Sequence, residues 1–539
     1  MVNREFIESI YDILRTFQEV AVEMQKAYAN ENYDLYFNLS TDLIENATEV
    51  RGYALNNMPR DDKSRLADAC TCIIESAKNI AKLADEGSKE VTWKLDNELE
   101  CIIESTLFQV EYFYWVEPGL ESEEQFKENF SVSRLMRPKR DIENGKECAC
   151  DLLISITGYN KLDYTKKCVE SVLANIPSGI CTELILINHG SSDGTQRYFE
   201  SVENAHVLNY AVNGAIRYMG IGCNNSKYIL SISNDVVVGK NSIENIYRAI
   251  SENPEYGYTV PSTSNVSNYQ IMEEAIYDTD EEFEEFTRKN NVYDVRRHEQ
   301  RVRLCDPISG YSTLKMYNML VDFCIENFFK GSIFSFPDDK RCLWMRRKGY
   351  KNMLLKDAYC HHYGSVTLKE DKETDNNSNT FFMLGREAFY KTFGVDPWGT
   401  GSIFDMSLIK ALEIESENDA IILGINCGLG ANPLKIRETM REKGANNVKI
   451  INATQSEVYL SDLKGISDEA FLFKDMQDII EKSGRKSFKY ILVDDAVEGI
   501  PSIEQLVDTF VELGFESERI MINRADGNWL ILKSNGKEA

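Results

Sequence analysis

The stretch Leu152-Leu153-Ile154-Ser155-Ile156, closing on Thr157-Gly158-Tyr159-Asn160, reads as a short buried strand ending in a polar turn. It decides the fold because the same unit recurs downstream. A helical pattern over Tyr164 to Asn175 leads to a second strand, Glu183-Leu184-Ile185-Leu186-Ile187. That strand runs into the turn Asn188-His189-Gly190-Ser191-Ser192-Asp193-Gly194-Thr195. After another helix and strand, Tyr228-Ile229-Leu230-Ser231-Ile232 ends at Ser233-Asn234-Asp235. Strands alternating with helices imply a parallel sheet, with its ligand site at the carboxyl ends of the strands.

Upstream the period changes. Phe6, Ile7, Ile10, Tyr11, Leu14, Phe17, Val20, Ala21 and Met24 recur at helical spacing, and further helical patterns cover 33–57, 62–86 and 89–115. A helical bundle is expected over 1–117, followed by a polar, charged linker over 118–149. Downstream, Ala420-Ile421-Ile422-Leu423-Gly424, Val448-Lys449-Ile450-Ile451 and Tyr490-Ile491-Leu492-Val493 read as strands of a second doubly wound region over 403–535. The expected fold is multidomain α/β, and 539 residues are too many for a single ordinary core.

The net charge of −27 argues against non-specific nucleic-acid binding, which needs Lys and Arg to displace counterions from phosphates. The densest acidic stretch, Glu273 to Glu285, reads as a solvated face. No apolar run is long enough to make a transmembrane segment. The N-terminus mixes acids into an amphipathic pattern, unlike a secretory signal, so the expected compartment is the cytoplasm. The thirteen cysteines are scattered and contain no C-x-x-C, so buried, inert thiols are expected rather than disulfides or a zinc ribbon.

These motifs, in this order, resemble the family 2 glycosyltransferases with the GT-A fold, over the domain 150–398. The resemblance makes Thr157, Tyr159 and Asn160 part of a nucleotide-contacting loop. Asn188, Gly190, Ser191 and Asp193 are similar to the family's "D-N-G-S-x-D-G-T" turn, and Asn234 and Asp235 to its "D-x-D" element. Pro261 to Ser267, Phe336-Pro337-Asp338-Asp339 and His361-His362-Tyr363-Gly364-Ser365 follow in the expected order. The resemblance implies an inverting transfer of a sugar from a nucleotide-diphosphate donor to a glycan or protein acceptor, a bacterial surface glycan or flagellin-like protein among them.

The chemistry of such a site can be stated on its own. A leaving nucleoside diphosphate concentrates charge that a divalent cation must neutralise, and Mn²⁺ or Mg²⁺ wants oxygen ligands. Asp235, at a strand end, supplies one, and His362, with His361 as the alternative, would add a ligand for Mn²⁺. The acceptor hydroxyl must lose a proton to a carboxylate. Asp338 and Asp339 occupy the family's catalytic-base position, with Asp339 slightly preferred, although either also suits a helix N-terminus. Arg217 suits a diphosphate contact and equally suits the surface. Asn188 stands where the family has an Asp receiving the imide hydrogen of a pyrimidine. Its carbonyl can accept the same bond, which keeps UDP- or dTDP-type donors in view. Ser233 replaces the first acid of the metal element.

Residues 403–535 resemble class I methyltransferases, with a Rossmann-like sheet and a Gly-rich loop at Asn426-Cys427-Gly428-Leu429-Gly430. Gly424, Asn426 and Asn452 stand where cofactor chemistry wants other residues, so S-adenosylmethionine is not expected to bind and a non-catalytic role is. Two alternatives stay open: a bifunctional glycosyltransferase and methyltransferase, and a non-catalytic sugar-binding scaffold. The helical segment has three roles open to it: gripping the acceptor, forming a homo-oligomer, or neither.

Overall fold

Ile7, Ile10, Leu14, Phe17, Ala21 and Met24 line one face of helix Arg4–Ala29, and all are buried. This computed structural model describes residues 4–58, 65–216, 220–329, 336–364, 378–524 and 526–533. The chain forms two compact units, Met1–Val238 with Tyr311–Gly331 and Tyr363–Asp375, and Gly239–Gly310 with Ser332–His362 and Asn376–Ala539.

The first unit opens with a helical bundle. Helices Tyr33–Asn57 and Leu66–Asp85 follow the first helix. Helix Glu90–Lys94 then continues through a π-helical turn into Glu100–Glu111, which is buried on every side and forms the bundle's centre. The stretch expected as a linker is helical instead, at Glu123–Val132 and Arg137–Glu143. Ser122 caps the first of these by accepting from Gln125 N–H (3.0 Å). Phe126 and Phe130, four residues apart, bury one stripe while the charged residues between them stay outward. A polar composition hid that short stripe.

Four strands follow: β1 (Cys150–Gly158), β2 (Thr182–His189), β3 (Ala205–Tyr210) and β4 (Ser226–Ser233), all parallel in the order β3-β2-β1-β4. A short β5 (Val236–Val238) completes the unit's strands. The β3 edge would expose unpaired backbone groups, and the bundle covers it. Lys94 Nζ donates to Val207 O (2.5 Å) and pairs with Glu98 (2.7 Å), whose carboxylate also accepts from Asn209 N–H (3.2 Å) and Ser76 Oγ (2.8 Å). Both charged side chains are buried. Glu98→Ala leaves an uncompensated buried ammonium and is expected to cost about 3–5 kcal/mol, read as a fall in the urea midpoint at unchanged slope.

The second unit holds β6 (Tyr256–Thr263), β7 (His298–Gln300), the first three residues of β8 (Ile308–Ser312) and β9 (Lys351–His362). Strands β6 and β9 are parallel, and β7 lies antiparallel on β9. Helix Pro337–Arg347 leads into β9. A separate six-stranded sheet follows: β10 (Ile421–Ile425), β11 (Lys449–Thr454), β12 (Glu469–Leu472), β13 (Ser487–Val493), β14 (Glu516–Asn523) and β15 (Trp529–Lys533). Its order is β12-β11-β10-β13-β14-β15, parallel except for β15. Among the described residues, no helix is long and apolar enough to cross a membrane. The cysteines are free, and Cys181 alone is exposed.

Candidate functional site

Strand register places the donor-loop residues of the first unit side by side. Gly158 is level with Asn188, and Thr157 is level with both Ile187 and Ser233, so three turns emerge at one end of the parallel strands. Asn160, in the left-handed region (φ 54°), receives and gives bonds across the gap. Its N–H donates to Ser191 Oγ (2.8 Å), and its Oδ1 accepts from Ser192 N–H (2.8 Å). Asp193 accepts from Leu162 N–H (2.8 Å) and from Thr195 Oγ1 (2.7 Å). Asn234 Nδ2 donates to Asn160 O (3.1 Å) and to Thr165 Oγ1 (2.8 Å). These side chains staple the loops after β1, β2 and β4 into one rim.

Asn188 is enclosed in the same way. Its Oδ1 accepts from Ser191 N–H (3.1 Å), its Nδ2 donates to Asn209 Oδ1 (3.3 Å), and the residue is 1% exposed. Gly190 has φ +73°, and a Cβ there would lie 2.8 Å from Ala211 O, so the turn closes only on glycine. Thr157 and Tyr159 are half-buried on the rim. Asp235 is half-buried in the turn between β4 and β5, and its backbone carbonyl accepts from Tyr363 N–H (3.1 Å). Arg217 lies outside the described residues.

In the second unit, Asp338 and Asp339 occupy the first turn of helix Pro337–Arg347 and differ sharply. Asp339 is buried and ion-paired to Arg303, whose guanidinium also donates to Asn268 Oδ1 (3.1 Å). Asp338 is half-buried and accepts from Asp306 N–H (3.3 Å). Burial pushes both carboxyls up to about 6, against the pull of Arg303.

The two histidines at the end of β9 also differ. His361 Nδ1 lies 2.6 Å from the Tyr277 hydroxyl, itself 2.8 Å from that of Tyr359, within an aromatic cluster. His362 Nδ1 donates to Asn265 O (2.5 Å), which fixes the ring. Among the described residues, no group of three or more His, Cys, Asp or Glu is gathered for a metal.

Sequence reasoning missed two groups. Arg303 sits 36 residues before Asp339, and its one signal was a charge alternating with Val302 along an otherwise buried stretch. His189, in the donor turn, is 5% exposed with Nε2 unpartnered, and burial lowers its imidazole to about 4.

The Gly-rich loop of the C-terminal sheet is filled by its own chain. Leu429 N–H donates to Thr400 O (3.0 Å), and Ala431 N–H, at the start of helix Ala431–Glu442, donates to Gly401 O (3.0 Å). A Cβ at Gly428 would lie 2.1 Å from Thr400 O. Asn426 bonds to Gln455 Oε1 (3.0 Å) and Ala496 O (2.8 Å), while Asn432 Nδ2 holds both oxygens of the buried Asp494 (2.9 and 3.0 Å).

Residues 154–303 match the family described as Glycosyl transferase family 2. That match marks this stretch as a glycosyltransferase-like domain. It includes the donor rim and Asp235, and it ends before the two carboxylates and the two histidines. Among solved structures, that of GalNAc-T7 with UDP, GalNAc and Mn²⁺ is similar at 12% identity and a TM-score of 0.30, over 40% of this chain. This chain spans 44% of that protein's length. No curated protein matches the chain.

Proposed function

We propose that the protein transfers a sugar from a nucleotide-diphosphate donor, of UDP or dTDP type, to a hydroxyl of a glycan or protein acceptor with inversion. What carries this reading is the stapled rim after β1, β2 and β4, which fixes the family 2 turns at one end of the sheet. Asn160 bonds Ser191 and Asn234, Asn188 bonds Ser191, and Asp193 accepts from Leu162 and Thr195, so these side chains are spent on holding the loops in place. Preorganised loops bind phosphate and ribose without an ordering cost at each encounter.

Asp338 is the base in this proposal. Asp339 commits its oxygens to Arg303, whereas Asp338 keeps solvent access and is a carboxylate at pH 7 with a proton affinity raised by burial. By ligand chemistry, the Asp235 carboxylate and the His362 imidazole would suit a divalent cation. When bound, such a cation would neutralise charge on the leaving diphosphate. Few protein ligands are needed, since phosphate oxygens and water complete the shell.

Segments 1–117 and 403–535 serve as accessories to 150–398 in a cytoplasmic enzyme. The filled Gly-rich loop speaks for a methyltransferase-type fold without cofactor. A thermal-shift screen of UDP, dTDP, GDP, CDP and S-adenosylmethionine, each with and without Mn²⁺, tests the whole reading. At a hundredfold excess over Kd, UDP or dTDP with Mn²⁺ is expected to add about 2.7 kcal/mol, with no response to S-adenosylmethionine. A flat response to every nucleotide overturns the transferase reading in favour of a scaffold. A response to S-adenosylmethionine alone moves the chemistry to the C-terminal sheet.

A further inference from the structure

We propose that the C-terminal sheet and its helices are a fixed brace for the catalytic helix Pro337–Arg347, with Asp462 as the positioning residue through which they act. The inference rests on the transferase reading above. Asp462 lies on helix Glu457–Lys464 and has no exposed surface. One of its oxygens accepts from Arg346 Nη2 (2.7 Å), and the other from Arg347 Nε (3.1 Å) and Nη2 (2.9 Å). Two consecutive guanidinium groups on one carboxylate fix direction as well as distance, because each fork is planar. Just beyond, a Cβ at Gly465 would lie 2.3 Å from Arg346 O, so the backbones themselves are in contact.

A second attachment reaches the other half of the carboxylate site. Glu438 accepts from Gln300 N–H (3.2 Å), Arg437 Nη2 donates to Gln300 Oε1 (2.6 Å), and Lys435 pairs with Glu299 (2.8 Å). The chain runs from there directly to Arg303, the partner of Asp339. Arg346 also donates to Val302 O, tying the two attachments together. The helix carrying Asp338 is thus held by helix Glu457–Lys464, and the stretch carrying Arg303 by helix Ala431–Glu442, both of the C-terminal sheet. A buried ion cluster is a poor source of net stability compared with apolar packing, but it sets one orientation where apolar contacts would allow several.

The test uses the full chain. Donor binding is read as the thermal shift by UDP with Mn²⁺, and turnover as hydrolytic release of UDP from a panel of UDP-hexoses, with water taking the sugar in place of an identified acceptor. Asp462→Asn is expected to lower kcat by about 10- to 100-fold with UDP binding unchanged, as for misplacement of a catalytic group. The acidic limb of its pH–rate profile shifts as well, because the surroundings of Asp338 change. Arg347→Gln, which keeps the buried Arg346–Asp462 pair, gives a smaller change in the same direction, and Arg347→Lys recovers most of it. A folded Asp462→Asn protein with wild-type kcat and pH profile overturns the brace. Should that variant fail to fold, wild-type kcat and pH profile in Arg347→Gln overturn it equally. A wild-type chain that binds neither UDP nor dTDP, and releases neither from its sugar nucleotides, fails at the transferase reading and removes the brace with it; an active wild type matched by its variants fails at the brace alone.

Discussion

Asp338→Asn is expected to lower kcat by about 10²- to 10⁴-fold while leaving UDP binding with Mn²⁺ near the wild-type value. An amide keeps the shape of the side chain and the bond from Asp306 N–H, so the helix start is preserved. What it loses is the lone pair that takes the acceptor proton, an interaction made only as the bond forms. The pH dependence has a definite sign. Burial raises the Asp338 carboxyl to about 6, so it is protonated below that pH and ionised above it. Wild-type turnover therefore rises with pH through about 6 and then levels, and the variant loses that limb. Asp339→Asn behaves differently, since it strips the counter-charge from Arg303 and acts first on stability. A profile in which Asp339→Asn loses the limb and Asp338→Asn keeps it would exchange the two roles.

The strands were legible because an apolar run closed by Gly, Asn and Ser has few other readings. Leu152 to Ile156, Glu183 to Ile187 and Tyr228 to Ile232 lie within β1, β2 and β4. The helices of 118–149 were not legible, because Phe126 and Phe130 make a stripe too short to stand out among charges. At the site, the residue types of the turns were readable and their tasks were not. An Asn or Asp at a strand end can bind a ligand or bind the neighbouring loop, and both uses write the same letters. Asn188 and Asp193 are taken up by backbone N–H groups within 3.1 Å, which only coordinates reveal. The preference for Asp339 over Asp338 ran into the same limit, because Arg303 approaches from a distant part of the chain. So did the closure of the Gly-rich loop, whose partners Thr400 and Gly401 carry no motif of their own.

Asp235→Ala is expected to reduce UDP release from UDP-hexoses by at least about 10³-fold, the loss of several kcal/mol of charge stabilisation on the departing diphosphate. The bond that anchors this turn to Tyr363 N–H uses the Asp235 backbone carbonyl, which alanine retains, and Asn234 keeps its bonds to Asn160 O and Thr165 Oγ1. Unfolding by heat in the absence of nucleotide is measured alongside as the control for the fold. The discriminating readout is the difference between shifts with and without Mn²⁺: in the wild type the cation deepens stabilisation by UDP, and in the variant it adds nothing. Asp235→Asn sharpens the point, since an amide oxygen fills the same space without the charge a hard cation seeks. His362→Ala should fall between wild type and Asp235→Ala, because a second ligand refines a cation's place while the carboxylate supplies most of the attraction. Unchanged turnover and an unchanged Mn²⁺ effect in Asp235→Ala would remove the cation from the mechanism and leave neutralisation of the diphosphate to cationic side chains.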